Sequence, residues 1–381
     1  MKLTRKTNII ISSLLLLLTL LLTIISGFDF KRFADYETEF ILRENVITRV
    51  EKFSQYSPKL ANTVGDSNIY VIEGEELGPS VLIIGGTHPN EPAGQLTATL
   101  LLENITVTKG TVYIITEANK SAFTHSQPQE ASTMYYHIAT ANGERTFKFG
   151  SRATNNTEQW PNPEIYVHRP SGQKLSNIDT RNLNRAYPGC EDGTYTEKVA
   201  YAITQCIIKN HIDVTIDLHE ASPEYLTINA IVAHQRATSV AAKAAFKMDM
   251  EGVLISVEAS PPNLHGLSHR ELGDFTDTLA FLCETSNASQ GKIRGKFTED
   301  LIITGDDKFY QQANKLGVLY AAPVDINERV ARHTLSILSI LQAYNDIYGD
   351  GELGKFIINH VPDYEDIINN GIGHYLLDSL L

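Results

Sequence analysis

The apolar residues of this chain fall into two regimes. The first is a single run, residues 9–25, interrupted only by Ser12, Ser13, Thr19 and Thr23 and preceded by Lys2, Arg5 and Lys6. The second begins near residue 65 and alternates short apolar runs with segments of helical period. I-Y-V-I at 69–72 and V-L-I-I at 81–84 read as buried strands bounded by Gly and Pro. Residues 91–103 place Leu96, Leu100 and Leu101 on one side of a helix. The same reading predicts strands over 111–116, 213–218, 226–233 and 278–283, and helices over 196–209, 237–250 and 327–348. Residues 119–180 break the pattern. They are polar, contain Pro128, Pro161, Pro163 and Pro170, and keep no sustained period, so they read as a long loop region of the kind that is usually functional or disordered.

Buried strands alternating with amphipathic helices predict an α/β fold, a mixed, mainly parallel sheet with helices on both faces in one domain. The pattern divides the chain into an apolar N-terminal segment (1–29), a charged spacer (30–64), the α/β domain (65–347) and a small C-terminal appendix (348–381) introduced by G-D-G at 349–351.

The N-terminal run is long enough to span a bilayer, at the short end of the usual range of about 17–25 residues. It also fits a secretory signal. The residues that follow, I-I-S-G-F at 24–28, lack the small-x-small pattern of a cleavage site, which favours an uncleaved anchor with its basic end in the cytoplasm. Either way, everything after about residue 30 is exported. The apolar fraction of 42%, with 25 glycines and 14 prolines, fits a globular protein. A formal charge of −13 argues against a general nucleic-acid binder, which needs a basic face. Cys190, Cys206 and Cys283 are an odd number without metal-ligand spacing, leaving open one disulfide plus a thiol, or three small buried hydrophobes.

Three segments carry candidate chemistry. In an open α/β sheet ligands bind at the carboxyl ends of strands, and there, just past the strand at 81–84, stand His88 and Glu91. Their i, i+3 spacing on a turn entering a helix lets both face one point, and imidazole with carboxylate suits zinc, given a third ligand and an open position. V-T-I-D-L-H-E at 214–220 puts a second imidazole, His219, at a strand end. Asp217 shares its face because strand side chains alternate, which suits support of a metal ligand from behind. N-L-N-R at 182–185 sets an amide beside a guanidinium, and an Arg fork matches a carboxylate with two hydrogen bonds.

Together these segments resemble the zinc carboxypeptidase superfamily, in particular its succinylglutamate desuccinylase/aspartoacylase branch. The family order of H-x-N-E-P, D-L-N-R, D-L-H and a late-strand Glu is met by H-P-N-E-P at 88–92, N-L-N-R at 182–185, D-L-H at 217–219 and C-E-T at 283–285. The resemblance covers roughly residues 65–347 and implies a zinc-carboxypeptidase-like catalytic domain. It implies one Zn2+ per chain on His88, Glu91 and His219, the substrate's terminal carboxylate on Asn184 and Arg185, and Glu284 as general base, with Glu258 its rival. An arginine ahead of the N-R pair stabilises the oxyanion, either Arg181 or Arg169, the first preferred. Asn182 departs from the family, which usually has Asp there to accept the proton of the first zinc histidine; an amide adds no charge, so His88 is expected to be the weaker ligand, and Asp179 is the candidate to compensate.

The implied function is an exported zinc-dependent hydrolase of an amide bond next to a free carboxylate. Its substrate is a small carboxylated peptide, cell-wall peptides included, or an N-acyl amino acid, and export favours the peptide. The alternative is a degenerate member that binds carboxylated peptides or cell-wall fragments without turnover, against which stands the retention of Glu284. No G-x-S-x-G elbow of a serine hydrolase is present.

Overall fold

The computed structural model describes residues 4–43, 46–126, 132–225, 227–322, 324–351 and 353–377. Lys2, Pro128 and Leu226 of the readings above lie outside them. The chain divides into two units, Met1–Thr38 and Glu39–Leu381.

The first unit is helix α1 (Arg5–Asp35), 31 residues or about 46 Å at 1.5 Å per residue. Among the described residues it is the one helix long and apolar enough to cross a membrane. Its threonines interrupt the apolar run without leaving unmet polar groups. The hydroxyls of Thr19 and Thr23 donate to the carbonyls of Leu15 and Thr19, each at 2.9 Å, which is how a helix keeps hydroxyls in an apolar medium.

The second unit grows around a sheet. Strands β1 (Arg49–Lys52), β2 (Asn68–Glu73), β3 (Glu76–Ile84) and β4 (Thr106–Ile115) come first, with helix α2 (Pro92–Asn104) between the last two. Two hairpins follow, β5 with β6 (Tyr135–Thr140, Gly143–Lys148) and β7 with β8 (Tyr166–Val167, Lys174–Leu175), before α3 (Tyr195–Asn210) and β9 (Val214–Ala221). Next come β10 (Ala230–Ala233), α4 (Thr238–Met250), β11 (Ser256–Ala259), α5 (Ser268–Phe275) and β12 (Leu279–Ser286). The chain closes with α6 (Glu299–Thr304), α7 (Lys308–Lys315), α8 (Ile326–Tyr348), β13 (Ile357–Asn359) and α9 (Tyr364–Asn370).

Among the described residues nine strands form the main sheet in the order β1-β2-β4-β3-β9-β12-β10-β11, with β13 also on β4. Its centre, β4-β3-β9-β12, is parallel. Antiparallel pairings flank it, β2 and β13 on β4, and β10 on β12. The fold is thus α/β with a mixed sheet around a parallel centre.

Both faces are buried, as a parallel centre requires. Val81 and Ile83 of β3 join the apolar cluster that includes α2, α4 and α8, while Leu82 and Ile84 join the cluster beneath α3. A capping box starts α3, with the Thr194 hydroxyl accepting from Glu197 N–H and the Glu197 carboxylate from Thr194 N–H.

The structure differs from the sequence reading at the margins of the sheet and in the long loop. Residues 49–52, expected in the spacer, and 357–359, expected in the appendix, are strands of this sheet. Their missing apolar signal has a physical cause. R-V-E-K at 49–52 is an edge strand, paired on one side only, and edges carry charge. Residues 119–180 are not a structureless loop, since the β5–β6 hairpin and a 3-10 turn at Asn177–Arg181 lie within them.

Candidate active site

The site forms where β3 ends, with Ile84 in register opposite Asp217, while β9 runs on to Ala221. Beyond β3 the chain turns to His88 and enters α2 at Pro92, which suits a first helical position because its missing N–H has no helical partner there. Glu91 is the residue at which the helix begins. The first turn of α2 presses onto β9 so closely that a Cβ on Gly94 would sit 2.6 Å from the Leu218 carbonyl oxygen. Glycine at 94 therefore lets Glu91 reach His219. One donor atom from each of His88, Glu91 and His219 lies within 4.8 Å of the others, and all three residues are buried.

Hydrogen bonds behind the imidazoles assign their tautomers. His88 Nε2 lies 2.8 Å from Asn182 Oδ1, and that oxygen also accepts the Asn184 N–H at 3.0 Å. His219 Nε2 lies 2.9 Å from Asp217 Oδ2. Both partners accept, so each ring donates from Nε2, and a neutral ring keeps its Nδ1 lone pair. The two Nδ1 atoms face the same carboxylate, 2.9 Å from Glu91 Oε1 for His88 and 3.0 Å from Oε2 for His219. Two lone pairs and a carboxylate packed this closely call for positive charge between them, either ring protons or one cation. The N, N, O donor set, with each imidazole braced from behind, fits zinc.

Without a cation the protein supplies that charge through His219. Burial opposes its charged form, but Asp217 and Glu91 outweigh burial and hold its pKa well above the ordinary value. Burial prevails at His88, pushing it down to about 4. Glu91 is pushed up by burial and down by its contacts with His88, Arg152 and His219, and the contacts win.

Asp217 shows how much of this order comes from α5. Its carboxylate accepts from the Thr87 hydroxyl at 2.8 Å and the Ser268 hydroxyl at 2.6 Å, besides His219. The Ser268 N–H in turn donates to Asn184 Oδ1 at 2.9 Å. One serine at the start of α5 fixes both the carboxylate behind His219 and the amide beside Arg185. Its position in sequence carries no motif, and only the packing of α5 on the sheet reveals it.

A cavity of about 670 Å³ opens over these residues and is lined by His88, Glu91, His219, Asn184, Arg185 and Glu284, among others. Register places Glu284 of β12 directly opposite His219 of β9. Among the described residues its carboxyl makes no hydrogen bond, and Oε2 is buried without a partner. Burial raises its pKa, with Glu91 adding to the shift and His219 opposing it. Arg185 donates to the Asn184 carbonyl at 2.7 Å and has no carboxylate partner among the described residues. A second depression, of about 800 Å³, lies around His234, Arg236 and Asp274 and contains none of the residues above.

The two arginines proposed for the oxyanion stand elsewhere. Arg181 donates from Nε to Asn162 Oδ1 at 2.9 Å and from a terminal nitrogen to the Thr154 carbonyl at 2.5 Å, and it does not line the cavity. Arg169 lies 3.6 Å from Glu197 and from Cys190 Sγ, also outside it. Besides Arg185, the arginine that lines the cavity is Arg152, bonded to Glu91 Oε1. It escaped the sequence reading because it stands in the long polar segment with no motif around it. Asp179 does not touch His88, but it lies 3.5 Å from Asn182 Nδ2, one residue behind it. The cavity also gains Tyr225 and His269, neither identified from sequence. All three cysteines are free thiols, Cys206 and Cys283 buried and Cys190 half-buried.

No family model matches the sequence, and no curated protein matches it. Solved structures do. A succinylglutamate desuccinylase from Silicibacter sp. is 20% identical, over 57% of this chain and 52% of that one, with a TM-score of 0.34. An aspartoacylase family protein from Mesorhizobium loti is 20% identical over 58% and 55%, with a TM-score of 0.34. The tripeptide-bound cell shape determinant protein Csd4 from Helicobacter pylori is 13% identical over 79% and 60%, with a TM-score of 0.44. The chain spans about half the length of the first two structures and three fifths of the third.

Proposed function

We propose that this chain is an exported, membrane-anchored zinc hydrolase that cleaves an amide bond next to a free carboxylate. The observation that carries the reading is the convergence of two imidazole lone pairs on the Glu91 carboxylate, with both ring protons engaged behind them by Asn182 and Asp217. With both rings neutral, three acceptors would meet at one point of the cavity lining, a convergence that a bound cation resolves. His88, Glu91 and His219 would hold one zinc, which when bound supplies the Lewis acidity that hydrolysis of an amide needs.

The chain's own residues divide the remaining work. Arg185, without a carboxylate partner among the described residues, and Asn184 hold the substrate carboxylate, which fixes the amide over His219 and Glu284. Glu284, its carboxyl unbonded among the described residues and its pKa raised by burial, takes a proton from the attacking water and returns it to the leaving nitrogen. Arg152 stands beside Glu91 at the cavity wall and faces the charge that develops on the carbonyl oxygen.

Metal content of the full-length chain in detergent tests the reading. About one zinc per chain is expected, with little left in His219→Ala. A folded parent that holds no zinc and takes up none on incubation would instead favour a carboxylate-binding protein without turnover.

A further inference from the structure

The rival carboxylate, Glu258, also lines the cavity, on a strand three places from that of His219. In-register neighbours of a sheet project from the same face, and a row of such pairs crosses this one, with Asp217 opposite Leu282, Leu282 opposite Val232, and Val232 opposite Glu258. Three strand spacings separate β9 from β11, about 14 Å at 4.8 Å each. Glu258 is therefore too far along the sheet to share a water with His219. Between the two ends the row presents only Leu282 and Val232.

The wall above that floor leads to Arg185. From β11 the chain continues through Leu264 and Leu267, which line the cavity, and between them Gly266 touches the backbone of Arg185. Gly266 has φ +87, and a Cβ there would stand 2.3 Å from the Arg185 carbonyl oxygen, so this contact accepts glycine alone. Glu271 secures the loop, accepting the Gly266 N–H at 2.9 Å and His265 Nδ1 at 2.8 Å. One continuous surface thus runs from a guanidinium without a carboxylate partner among the described residues, past apolar side chains, to a carboxylate. Glu258 is half-buried and makes no hydrogen bond or ion pair among the described residues.

We propose that Glu258 determines specificity by receiving a cationic head at the end of an apolar stem, so that the substrate's terminal residue is lysine, arginine or another chain ending in an amine. The inference rests on the hydrolase reading above. With the terminal carboxylate on Arg185, the side chain of that residue follows Leu264, Leu267, Val232 and Leu282. Methylene stems cover apolar surface while their charged tips seek a polar partner, and Glu258 is that partner. An N-acyl amino acid with an acidic side chain would meet like charge there and be rejected.

The test uses full-length protein in detergent with N-acylated dipeptides ending in lysine, in norleucine, which has the same stem without the ammonium, and in glutamate. The expected kcat/KM for lysine exceeds that for norleucine by about tenfold or more. Glu258→Gln should bring this ratio near one, and Glu258→Lys should move the preference to glutamate. A lysine-to-norleucine ratio near one in the parent, or one that Glu258→Gln leaves unchanged, would overturn the assignment while the hydrolase reading stands. Calorimetric binding of the same peptides separates the two ideas. Lysine-selective binding that Glu258→Gln abolishes, without turnover of any peptide, would keep the specificity and remove the hydrolase. Peptides neither bound nor cleaved would end both.

Discussion

At position 182 an amide stands where a carboxylate would charge the proton acceptor behind His88. Asn182 Oδ1 takes the ring proton at 2.8 Å but brings no negative charge, whereas His219 is backed by the full charge of Asp217. As ligands of the proposed zinc the two imidazoles would therefore be unequal, with His219 the stronger anchor. Such supporting partners change metal affinity by about 10–100-fold, so Asn182→Asp should slow loss of zinc to a chelator by at least about tenfold. An unchanged chelation rate would show that Asp179, one residue behind, already supplies the charge. His88→Ala should lose zinc with the fold intact by circular dichroism. Glu284→Gln should keep its zinc and lose turnover by about 10²–10⁴-fold, the usual worth of a general base. A fully active Glu284→Gln would remove Glu284 from the role, and Glu258 lies three strands from His219 and could not replace it.

Elements hold these residues in place through polar contacts that leave no mark on hydropathy. Arg329 of α8 and Glu220 of β9 form a fully buried ion pair at 2.7 Å. The second oxygen of Glu220 accepts the Ala93 N–H in the first turn of α2 at 2.9 Å, while the Glu220 N–H donates to Glu91 at 3.1 Å. The pair thus ties α8, β9 and α2 together directly behind the site. Removing one partner strands a buried charge, and Arg329→Ala should cost about 3–5 kcal/mol in denaturant unfolding. A loss below about 1 kcal/mol would be that of a surface pair and would refute this account. Helix α5 contributes His269, buried against Ser260 and pushed down to about 3, chiefly by burial and then by the charge of His219. A histidine kept neutral in the fold accepts its proton more readily once unfolded, where its pKa is near 6.5. Its contribution to stability is therefore complete above about pH 6.5 and is lost progressively as the pH falls from there towards about 3. His269→Gln should flatten the stability profile in that window, and an unaltered slope would show that His269 is protonated in the native state.

For the whole molecule, α1 is the one membrane-length helix among the described residues. If α1 is the anchor, the full chain should stay with membranes through a carbonate wash, and a chain lacking residues 1–29 should not. Release of the full chain by carbonate would mark the segment as peripheral or cleaved. Hydropathy alone was enough to locate α1, β3, α2, α3, β9, β12 and α8, because each buries a run or stripe of its own side chains and so writes its period into the sequence. The same signal missed β1, β11 and β13, whose edge or flanking positions leave polar residues exposed, and the β5–β6 hairpin, which lies in a segment without sustained period. That His88, Glu91, His219 and Glu284 share one cavity was legible because each sits near or just beyond a strand end, where local order and place in the sheet coincide. Arg185 was legible from its neighbour Asn184. Arg152 was not, and Arg181 stood in its place, because which arginine faces a cavity depends on how a long polar segment folds back. The sequence by itself determined the sheet's centre, the membrane-length helix and the donor types at the strand ends, all local properties of burial and spacing. Only the tertiary structure decided which nitrogen of each imidazole is left for a cation, which serine braces Asp217, and that Glu284 and Glu258 line one cavity from different strands. Those facts depend on register between strands distant in the chain, and no local pattern encodes register.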